Sequence, residues 1–163
     1  MKEDYAFLVN KTKEDNRIKM NVMLLGICFT MFTFLIAFNA ELLKQNIFLT
    51  LQLVCSIPLF MTSLLARSKA SYTLGRSRWT NFGFITYLLA YSFLINVVGI
   101  FLISFISVQI GIIFFILNMV LAVTYSFMEV SYDKLRIAER FVKDLVFVLI
   151  LVLLGILPAL RIY

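Results

Sequence analysis

The chain has 163 residues, 62% of them hydrophobic and 15% charged, with fifteen Lys and Arg against nine Asp and Glu and no His. A soluble domain of this length is roughly half apolar and about one quarter charged, so the composition is that of an integral membrane protein. Without His the commonest general base and metal ligand is missing, which takes the usual chemistry from most hydrolase, redox and metalloenzyme readings.

Residues 1–20 form a basic segment with Lys2, Lys11, Lys13, Arg17 and Lys19. Tyr5 to Val9 is apolar and Lys11 to Lys19 charged, consistent with a first helix that extends inward past the membrane. Five apolar stretches follow, near 21–41, 46–66, 80–104, 108–128 and 144–160. Each is expected to be a helix, because a spanning segment must bond its own backbone and the period-two alternation of a membrane barrel is absent. The expected fold is therefore all-α and polytopic, with two helical hairpins over 21–128.

The first span reads as a retained signal anchor, since Phe38 before Asn39 and Ala40 spoils a small-x-small cleavage site. It carries Gly26, Thr30, Thr33, Ala37 and Ala40 at spacings of 4, 3, 4 and 3, one continuous small face. Small faces allow helices to approach closely in lipid. The favoured reading is a groove for a neighbouring helix of the same subunit; the other is a contact between subunits. A tight outer loop is expected at Glu41 to Gln45. The second span places Gln52, Ser56, Ser63 and Ala66 on one stripe, with a kink permitted at Pro58. Cys28 and Cys55 lie at different depths and read as thiols, not a disulfide.

The loop from Ala66 to Trp79 holds Arg67, Lys69, Arg76 and Arg78, a cluster suited to acidic lipid or to a soluble partner. Trp79 and Tyr72 suit the headgroup layer. The third span carries Ser92, Asn96 and Gly99; the fourth, after an outer loop at Ser104 to Gln109, carries Gly111, Asn118, Ala122 and Tyr125, with Glu129 at its end. Asn96 and Asn118 fall at similar depth, so the favoured reading is an amide pair joining two helices. The other is a hydrated path lined by Gln52, Ser56, Asn96, Asn118 and Tyr125, with Glu129 at its mouth.

Over 129–143 the charges Glu129, Asp133, Arg136, Arg140 and Lys143 recur at 4, 3, 4 and 3 beside an apolar stripe, which predicts an amphipathic cytoplasmic helix, either a stalk that continues the fourth span or a helix on the membrane surface with Arg136 and Arg140 toward acidic lipid. The last segment, 144–163, holds a fifth span and a short outer tail. Leu145 to Leu160 covers only about 24 Å at 1.5 Å per residue. It crosses if Phe141 and Val142 join it while Lys143 snorkels; otherwise the chain has four spans and an interfacial C-terminal helix.

Thirteen of the fifteen Lys and Arg fall on one side of this layout, and only Lys44 and Arg161 on the other. The positive-inside rule then places the N-terminus in the cytoplasm of, most naturally, a bacterial inner membrane. No ionisable group is expected at mid-depth, which disfavours a proton-coupled carrier. A TVGYG-like filter, an S4-like Arg repeat and a nucleophile with a base are all missing. The expectation is no enzyme, no cofactor and no nucleic-acid partner. The function expected is a small homo-oligomer that conducts ions or perturbs the membrane, gated from its cytoplasmic face. The alternative is a non-conducting scaffold or sensor that recruits a soluble cytoplasmic partner, for example in a bacterial stress or phage-defence system.

Overall fold

The computed structural model describes the backbone of residues 2–72, 78–130 and 137–162, and the side chains of 11–72, 78–127 and 141–160. The elements are α1 (Lys2–Gln45), α2 (Ile47–Ser71), α3 (Arg78–Phe105), α4 (Val108–Val130), α5 (Ile137–Ile150), a π-helical segment (Leu151–Ile156) and α6 (Leu157–Ile162). No strand occurs among the described residues. The protein is all-α, with five helical stretches long and apolar enough to cross a membrane. The fifth runs from Phe141 to Leu160, 20 residues, or about 30 Å, which matches the hydrocarbon thickness. Phe141 and Val142 do join it.

The turns are tighter than the composition suggests, and asparagine makes them so. α1 is broken once, at Asn39 (φ −154°, ψ 61°), whose Oδ1 accepts from the Leu42 amide at 3.2 Å and restarts the helix. Residues 41–45, expected as the loop, are therefore helical. The reversal contracts to Asn46, whose Oδ1 accepts from Leu49 N at 3.0 Å, and Thr50 Oγ1 donates across the turn to Leu43 O at 2.5 Å. Between α3 and α4 the same task falls to Ser107, whose hydroxyl accepts from Ile110 N at 3.2 Å.

Two other boundaries move. α2 runs on to Ser71, so Arg67 and Lys69 belong to a helix and not to the loop expected over 66–79. Of the separate amphipathic helix expected over 129–143, Glu129 and Val130 end α4, while residues 137–143 begin α5, which continues into the fifth span. Residues 131–136 lie outside the described residues.

The chain divides into two compact units, Met1–Tyr91 and Ser92–Tyr163. In the first, α1 presents Glu14, Asn21, Cys28 and Leu35, all buried and each seven residues after the last. α2 answers with Leu49, Leu53, Ser56, Phe60, Ser63, Arg67 and Ala70, also buried, at spacings alternating between 4 and 3. This is the repeat of an antiparallel, left-handed coiled-coil seam. The start of α3 closes on α2 at Gly83, where a Cβ would lie 3.2 Å from both Ala66 Cβ and Arg67 Cγ.

The second unit gathers Leu94, Val97, Ile100 and Ile103 of α3 with Phe115, Phe147, Leu151 and Ala159. The Phe115 ring fills the space that Gly99 leaves empty.

Candidate functional site

The seam of the first unit is a ladder whose rungs change chemistry along its length. At one end Glu14, 1% exposed, meets Arg67, 3% exposed. Arg67 Nη1 donates to Glu14 Oε2 at 3.3 Å and Arg17 Nη1 to Oε1 at 2.5 Å. One carboxylate thus holds two guanidinium groups. The Arg67 guanidinium also lies 5.5 Å from the centroid of the Tyr87 ring, a cation–π distance. One heptad further, Asn21 Nδ2 donates to Ser63 Oγ at 2.9 Å, and the Ser63 hydroxyl donates to the Gly83 carbonyl at 2.6 Å. That chain of bonds ties α1, α2 and α3 together. Next, Ser56 Oγ sits 3.5 Å from Cys28 Sγ. The seam ends in Leu35 and Leu49, both buried. Two atoms in the ladder, Arg67 Nε and Asn21 Oδ1, are buried and find no hydrogen-bond partner among the described residues.

A charge removed from water survives only where an opposite charge and good hydrogen bonds compensate it. Arg67 meets that condition through Glu14, and Glu14 through Arg67 together with the partly exposed Arg17. The sequence places Arg67 with the surface cations, and the structure overturns that assignment: its side chain is withdrawn from the surface, so it offers nothing to lipid or partner. Glu14, Asn21 and Ser63 escaped notice as a set. The signal that finds them is the seven-residue spacing of Glu14, Asn21, Cys28 and Leu35, facing the 3/4 spacing of α2. Glu14 is also a buried carboxylate, but it lies in the charged part of α1 ahead of the apolar span and not at mid-depth, where no ionisable group was expected.

The small face lies elsewhere on α1. Gly26, Thr30, Thr33, Ala37 and Ala40 are all exposed. At about 100° per residue they fall on roughly the opposite side of the helix from Asn21, Cys28 and Leu35. A Cβ on Gly26 would meet nothing within 4 Å. Thr30 and Thr33 turn their hydroxyls back to the carbonyls of Gly26 and Phe29, each at 2.9 Å. α2 packs against the other side of α1, so the groove expected on the small face is not filled by α2.

Four of the residues proposed for a polar path make hydrogen bonds within their own units. Gln52 and Ser56 are buried in the first unit, where Gln52 Nε2 donates to Phe48 O at 3.2 Å and Ser56 Oγ to Leu53 O at 2.8 Å. In the second unit Asn96 is fully buried and its Nδ2 donates to Ile150 O at 3.3 Å. Asn118 is half-buried and gives its amide to Phe114 O, one turn back, at 2.8 Å. The two amides do not pair as expected; each donates to a backbone carbonyl instead. Tyr125 is 69% exposed.

No family model, curated protein or solved structure matches this chain. The geometry is therefore what speaks for its function. Of the remaining basic residues, Lys69 and Arg78 are exposed, and Lys69 Nζ lies 4.6 Å from the centroid of the Trp79 ring. Arg76 and Arg136 lie outside the described residues, as do the side chains of Glu129 and Arg140. Cys28 and Cys55 are free thiols. Among the described residues no group of three or more His, Cys, Asp or Glu gathers as a metal site would require.

Proposed function

We propose that this chain is a small homo-oligomeric integral membrane protein, of a bacterial inner membrane with its N-terminus in the cytoplasm, that conducts ions or perturbs the membrane. The observation that carries the reading is the small face of α1, Gly26 to Ala40, which lies on the side of the helix away from its seam with α2. In lipid there is little hydrophobic force between helices, and small faces are where backbones approach closely enough for packing to hold them. A second copy of the chain is the occupant proposed. Because Gln52, Ser56, Asn96 and Asn118 are bonded inside their own units, the conducting path runs between subunits, with Thr30 and Thr33 beside it. α1 is unbroken from Lys2 to Asn39. A displacement at its basic start is thus carried to the small face, which is the proposed route of gating.

Cross-linking through Thr33→Cys, in a background with Cys28 and Cys55 replaced, should give discrete oligomers. Purified oligomers in liposomes should release an entrapped monovalent ion, and Ala37→Leu should abolish both results. Oligomers that pass no ion under any condition would retire conduction.

A second reading has its own support. Lys69, Arg78 and Trp79 stand exposed at the end of α2 and the start of α3, a surface fit to recruit an acidic cytoplasmic protein to a non-conducting scaffold. Neither reading assigns catalysis to the chain.

A further inference from the structure

A regular α-helix bonds each amide to the carbonyl four residues back. In the last span that register lengthens to five over Leu151–Ile156, and Leu157 N bonds Val152 O. Three features of the sequence hold it there. Pro158 has no N–H to give to Leu154, so the four-residue register gains no bond at that point and is disfavoured there. Asn96 reaches over from α3 and donates to Ile150 O, the carbonyl at which the register changes. Gly155 supplies the room, since a Cβ there would run into the Asn96 carboxamide and come within 2.9 Å of the Phe115 ring. π-helical turns are rare and cluster at functional sites. This one concentrates a buried amide, a glycine and a proline at a single level of one membrane helix.

We propose that Leu151–Ile156 is a one-residue register switch in the last span, with Asn96 as its latch. Returning the segment to the four-residue register turns everything after it by about 100°. Each later residue then takes the direction its successor had. Ala159, now 1% exposed, moves to the outward position of Leu160, and Leu157, now 46% exposed, moves to the buried position of Pro158. The surface thereby exchanges a leucine for an alanine on the last turn. The proposal does not depend on conduction.

The test is electron paramagnetic resonance of the full chain in lipid nanodiscs, with Cys28 and Cys55 replaced and a nitroxide attached at one site at a time. The sites are Leu157→Cys, Ala159→Cys and Phe147→Cys, the last a buried position ahead of the switch. Molecular oxygen, which partitions into lipid, reports exposure. Introducing Asn96→Ala or Pro158→Ala should raise oxygen access at 159 and lower it at 157, more so in the double variant, while 147 stays protected. Unchanged access at 157 and 159 in the double variant would overturn the proposal. So would a joint rise at 147 and 159, since the helix would then have undocked and Asn96 would be only a packing contact.

Discussion

Glu14 and Arg67 illustrate why a buried charge has to be read with its partner. Removing one member of a buried ion pair typically costs about 3–5 kcal/mol, whereas replacing both with apolar groups of similar volume is often neutral or better. Glu14→Ala should therefore destabilise the protein by about that amount, and adding Arg67→Leu should recover most of the loss. Equilibrium unfolding in detergent, run as a double-mutant cycle, measures both. The next rung is weaker. Interhelical hydrogen bonds in membrane proteins average about 0.6 kcal/mol and reach about 1.7, so Ser63→Ala should cost roughly 1 kcal/mol and loosen α3 as well as α1, because Ser63 also donates to Gly83 O. Hydrogen exchange at the amides flanking Gly83 would report that coupling; equal exchange in wild type and variant would break it.

Among the elements, the α1–α2 hairpin depends on two asparagines, a residue favoured both in turns and at helix N-caps. Asn39 ends one helical stretch and caps the next turn, and Asn46 makes the reversal and caps α2. Losing such a cap to alanine costs about 1 kcal/mol, and to glycine only a few tenths. Asn46→Ala should lower the unfolding midpoint measurably, and Asn46→Gly should leave it nearly unchanged. A larger effect of glycine would mean that backbone stiffness, and not the cap, makes the turn. Both asparagines are visible in the sequence. Their role was not, because an apolar run on either side of a polar cluster is compatible with a loop of several residues or of one.

At the scale of the molecule, the consequential surface is the side of α1 that faces away from α2. Ala37 is exposed, so Ala37→Leu should change the stability of a single subunit by no more than about 0.5 kcal/mol. It should nevertheless shift the proposed assembly toward monomer, since a bulky side chain keeps two backbones apart. Light scattering in detergent, paired with the unfolding midpoint, separates the effects. An unchanged mass with an unchanged midpoint would remove α1 from the interface. The same face shows how far spacing carries an argument. Gly26 to Ala40 share one side of α1 whatever surrounds them, yet the spacing did not say whether that side meets a helix of the same chain.

What the sequence determined by itself is whatever a segment decides alone. Five apolar stretches of sufficient length become helices because hydrocarbon offers their backbones no other partner. The faces of each helix follow from its period, and the heptad through Glu14, Asn21, Cys28 and Leu35 was there to be found. Only the tertiary structure decided which face of α1 meets α2, that Arg67 lies inside, that Asn96 bonds Ile150 and not Asn118, and that the last span changes register at Leu151. Each of these is a contact between residues far apart in sequence, 28 positions for Cys28 and Ser56 and more than 50 for Glu14 with Arg67 and Asn96 with Ile150, or follows from one. The reason is geometric: a repeat states which side chains stand together on a helix, and the axial and rotational fit of two helices states what they stand against.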